Sequence, residues 1–103
     1  MSIYQAIQNL KVSQPQSEQG AATFLSNYTP KVQEQLINAI YLGREHIHAT
    51  KLRDDVEISC KFVQHIPSEE YPRIIAEKGE NTEKYLEKLE ECANASKFDL
   101  NNL

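Results

Sequence analysis

Apolar residues recur along this chain at the spacing of an α-helix. Ile3, Ala6, Ile7 and Leu10 fall at i, i+3, i+4 and i+7 behind Ser2, a capping residue type, and predict a short amphipathic helix. Ala21, Phe24, Leu25 and Tyr28 repeat the spacing with Ser17 as the cap, after a polar linker that contains Pro15. Thr29-Pro30 is a strong start signal, because a capping hydroxyl precedes a proline at the first helical position. The helix it opens, about 30–48, is the most informative element. Val32, Leu36, Ala39, Ile40, Gly43 and Ile47 form one wide apolar face, and Ile37, Tyr41, Arg44 and His48 lie along a second stripe. A helix apolar on more than one side is either the centre of its bundle or offers a second face to a partner.

The segment 54–66 can be read two ways. Val56, Ile58, Cys60 and Phe62 alternate with Glu57, Ser59 and Lys61, the pattern of a half-buried strand, whereas on a helix its apolar residues cover a broad arc. A lone strand cannot satisfy its own backbone, so a strand near 56–62 would have to pair with its copy across a dimer. Helix is the preferred reading, and an α+β fold is the alternative. Pro67 ends the element, and 68–78 is a short helix or turn closed by Gly79. Asn81 can cap a last helix, with Tyr85, Leu86, Leu89, Cys92 and Ala93 inward and glutamates outward. These elements predict an all-α bundle of four or five short helices around a central helix. The single domain spans 1–95, and 96–103 is expected to fray, although Phe98 and Leu100 could dock.

The stretch Leu36-Ile37-Asn38-Ala39-Ile40-Tyr41-Leu42-Gly43-Arg44 resembles a segment in a family of small, uncharacterised bacterial helical proteins, in which a helix also ends in an apolar residue followed by Gly-Arg. The resemblance implies a bacterial all-helical domain and carries no catalytic residue across.

Composition narrows the classes. With 103 residues there is room for one domain. No window approaches the ~18 apolar residues of a membrane span. Met1-Ser2-Ile3-Tyr4-Gln5 lacks the basic and apolar regions of a signal peptide. The net charge of −4 argues against a nucleic-acid surface, and it is unevenly placed. Residues 1–67 are neutral, while 68–92 set eight glutamates against Arg73, Lys78, Lys84 and Lys88. That run is either the solvated face of a helix or an anionic surface for a basic partner. Cys60 and Cys92 lack metal-binding spacing and read as reduced, small apolar residues.

Candidate chemistry is sparse. Glu45-His46-Ile47-His48 contains one Glu-x-x-His pair, the spacing that aims two ligands at one metal in di-iron bundles, and His65 would supply a third ligand. Such centres need two of these motifs and further carboxylates. Cys60 and His65 at i, i+5 diverge on a helix, and no phosphate-cradling loop or serine nucleophile context occurs. No cofactor is expected. The leading functional reading is therefore a small cytoplasmic protein-interaction module, an adaptor or regulator, acting as a homodimer through Ile37, Tyr41, Arg44 and His48. Tyr and Arg are enriched at binding hot spots. The alternative is a metal-binding or metal-dependent helical-bundle enzyme using Glu45, His48 and His65.

Overall fold

The computed structural model describes residues 2–103, apart from the side chain of Phe62. Expectations for that side chain lie outside the described residues. Five α-helices appear among them: α1 (Ile3–Ser13), α2 (Glu18–Leu25), α3 (Pro30–Glu45), α4 (Tyr71–Lys78) and α5 (Asn81–Ala95). Three 3-10 turns, at Cys60–Val63, Ser68–Glu70 and Leu100–Asn102, complete an all-α globule.

The helix starts follow from local chemistry. Ser2 Oγ accepts the Gln5 N–H, Ser17 Oγ the Gly20 N–H, and Thr29 Oγ1 the Val32 N–H, each occupying a donor that the first helical turn leaves free. Pro30 follows Thr29 at the position where its missing N–H costs nothing. Asn81 is the first residue of α5 rather than its cap, and Glu80 before it makes no capping bond. Gly79 ends α4 with φ 52°, a left-handed conformation suited to glycine, and its N–H bonds Ile75 O.

The packing decides what the stripes of α3 mean. Ile37 and Leu42 are as fully buried as Leu36, Ala39 and Ile40, so α3 is the centre of its bundle. It packs most extensively against α5, and also meets α1, α4 and the Cys60–Val63 turn, while α2 rests on α4. At Gly43 the backbones of α3 and α5 touch: a Cβ there would lie 1.9 Å from Tyr85 O.

Three expectations need correction. First, α3 ends at Glu45 and not at 48, because His46 turns into the core. Its Nδ1 lies 2.7 Å from Leu42 O, and its Nε2 accepts the Arg53 N–H at 3.0 Å. A carbonyl can only accept and an amide can only donate, so the ring is the neutral Nδ1–H tautomer. It ties the following loop to the end of α3, and Lys88 Nζ and Ser96 Oγ on the α5 side bind Ala49 O and the Leu52 N–H.

Second, 54–66 is neither a full helix nor a strand, and no strand occurs among the described residues. Val56 and Ile58 are half-buried and β-branched, which weakens helix formation. The Arg53 guanidinium instead forks onto Asp55. Ser59 caps Lys61, and Pro67 leaves only a short turn beyond that cap.

Third, the segment 96–103 is docked rather than frayed. Leu100 and Leu103 are buried, and the buried Gln35 amide donates to Asn101 O and Leu103 O. Tyr4 holds the same segment from α1, accepting the Leu100 N–H at 2.8 Å and donating to Asp99 Oδ1 at 3.0 Å.

Two substitutions test this packing by denaturant unfolding. Gly43→Ala should destabilise by about 2–3 kcal/mol, since overpacking against Tyr85 outweighs the roughly 1 kcal/mol gain in helix propensity. His46→Ala should cost about 2–4 kcal/mol through the lost bonds and the cavity. An unchanged midpoint in either case would contradict the close contact or the tie.

Candidate functional site

The side chains singled out in the sequence do not form one surface. Ile37 is inside the core, Tyr41 is half-buried with Lys78 Nζ 5.2 Å from its ring centre, and only Arg44 and His48 are exposed. The stripe is therefore consumed largely within the chain.

Glu45, His48 and His65 are all exposed, but they are not brought together. Among the described residues no three His, Cys, Asp or Glu side chains group to hold a metal ion. Glu45 and His48 share a shallow hollow with Ala49 and the cationic Arg53. Both cysteines are free and buried. Burial and the neighbouring Glu34 push the Cys60 thiol up, and burial does the same to Cys92, the opposite of what an activated thiolate needs.

The surface that does combine several elements lies between α1, α5 and the docked segment. It is a groove of about 460 Å³, with Tyr4 from α1, Phe98 and Leu100 from the segment, and Glu87, Glu90 and Glu91 from α5. Tyr4 is one of two exposed large apolar residues among those described, at 40 % against 86 % for Val12. Its two hydrogen bonds fix the ring at the groove edge, which makes it a preorganised aromatic contact.

The electrostatics of this groove are negative. Glu90 is paired to Lys11 at 2.6 Å and also accepts from Gln8, and Glu91 is paired to Lys88 at 2.6 Å. Glu87 has no ion-pair partner among the described residues. Burial, together with the Asp99 and Glu90 carboxylates, pushes the Tyr4 phenol above its ordinary value. Asp99 is held below the usual carboxylate range by the Asn101 N–H and the Tyr4 hydroxyl.

The glutamates of this groove were visible in the sequence as a charge run. Tyr4 was not visible as a site residue, since its partners lie 95 and 96 positions away. The one local signal is that Tyr4 stands off the buried face formed by Ile3, Ala6, Ile7 and Leu10.

The lowered Asp99 value sets an acid limit on this surface. A carboxyl whose folded-state pKa is depressed stabilises the fold above its unfolded value near ~3.9 and loses that contribution as pH falls through the folded value. Protection of the Leu100 and Asn101 amides from hydrogen exchange, taken relative to the intrinsic rate at each pH, should therefore fall below about pH 4 in the native protein, and Asp99→Asn should flatten that dependence. Equal pH dependence in both proteins would rule out Asp99 as the titrating group.

No protein-family model, curated protein or solved structure matches the chain.

Proposed function

We propose that this protein is a small interaction module, an adaptor or regulator, that docks a basic segment of a partner protein in the groove between α1, α5 and residues 98–100. The observation that carries the reading is a pinned, exposed tyrosine beside glutamates of which one, Glu87, has no ion-pair partner among the described residues. Charge complementarity of this kind steers encounter and selects partners. The free cysteines fit a reducing compartment such as the cytoplasm.

A homodimer through the α3 stripe has less support, because Ile37 is already covered by the chain's own core. Catalysis also has little to build on: burial raises both thiols, and Glu45, His48 and His65 do not group as a set among the described residues.

Titration of isotope-labelled protein with an oligolysine peptide tests the reading. Shifts should concentrate at Tyr4, Glu87 and Glu91 and fade at high salt, and Glu87→Lys should weaken binding by about three- to fivefold. Shifts scattered evenly over the surface, or none at all, would defeat the proposal.

A further inference from the structure

The acidic wall of the groove is also the wall of a second hollow. Glu87 and Glu91, one helical turn apart on α5, line both the first groove and a neighbouring depression of about 260 Å³ that also contains Ile47, Lys84 and Lys88. The two carboxylates therefore stand on a ridge with Tyr4, Phe98 and Leu100 in the first hollow and Ile47 with two lysines in the second, so the first hollow is the apolar side. Glu91 is occupied by Lys88, and Glu87, which shares the second hollow with Lys84 and Lys88 but meets no lysine in the lining of the first, has no ion-pair partner among the described residues.

Charge alone gives such a ridge little holding power. An exposed ion pair contributes less than about tenfold in affinity and is screened by salt. The residues beside the ridge offer what charge lacks. A tyrosine fixed by two hydrogen bonds loses little freedom on contact, and lysine or arginine can lay its aliphatic stem on an aromatic ring while its charge reaches a carboxylate.

Building on the docking function proposed above, we infer that the partner segment is amphipathic: an aromatic or branched aliphatic side chain seats against Tyr4 and Phe98, and a neighbouring lysine or arginine crosses the ridge to Glu87. The partner is thus a protein segment with an apolar anchor, and a merely polycationic segment occupies the same groove more weakly.

Two peptides of equal length and equal positive charge separate these possibilities on the intact chain. In one, the lysines alternate with leucine and phenylalanine; in the other, with serine and glycine. The apolar peptide should bind at least about tenfold more tightly by calorimetry. Tyr4→Ala should reduce it to the level of the polar peptide. Because Tyr4 also pins residues 99–100, Phe98→Ser provides a second variant with the same expected loss of preference. Val12→Ser, at the other exposed apolar residue, should leave the preference intact. Equal binding of both peptides would overturn the amphipathic partner while leaving the docking function standing. Failure of both to bind would defeat the docking function itself. A preference that survives both Tyr4→Ala and Phe98→Ser would place the anchor elsewhere and overturn the assignment.

Discussion

The backbone contact between α3 and α5 at Gly43 and Tyr85 governs how the rest of the molecule is arranged. Only a residue without a side chain allows the two helices to approach so closely, and that approach lets α3 be covered on almost every side. With α3 enclosed, the outer face of α5 becomes the outer face of the protein, and the glutamates on it are displayed beside α1. The groove thus owes its position to a glycine in the middle of the core.

Polar ties then complete what apolar burial begins. Gln35 reaches from α3 to two carbonyls of residues 101 and 103, Tyr4 reaches from α1 to residues 99 and 100, and Lys11 reaches from α1 to Glu90 on α5. Each joins elements far apart in the chain. The buried bonds of Gln35 hold the closing segment more firmly than an exposed ion pair would, because breaking them leaves a polar group without water.

Much of the helical framework was legible because its determinants are local. Ser2, Ser17 and Thr29-Pro30 announce their helices within a few residues, and the apolar period names the inward faces. What was not legible depends on distant partners. His46 stood inside the helix expected over 30–48, and nothing nearby shows that its ring would serve Leu42 and Arg53. Ile37 looked available to a partner until α3 was seen to be enclosed. The residues 54–59 misled for another reason: their alternating apolar pattern is real, yet Val56 and Ile58 only lean on the core from an irregular path. For the groove, the acidity could be read and the aromatic side could not.

The imidazole of His46 has one more consequence, for the tolerance of this chain to insertions and deletions. Surface loops usually accept changes in length because their course is set only at the two ends. Here one ring measures out the first stretch of the loop, with a donor nitrogen facing α3 and an acceptor nitrogen facing Arg53. Adding or removing a residue between positions 46 and 53 would present the ring with the wrong backbone atom. Freedom of length begins only after Arg53, so the loop contains a gauged portion and a slack portion, divided at a single amide.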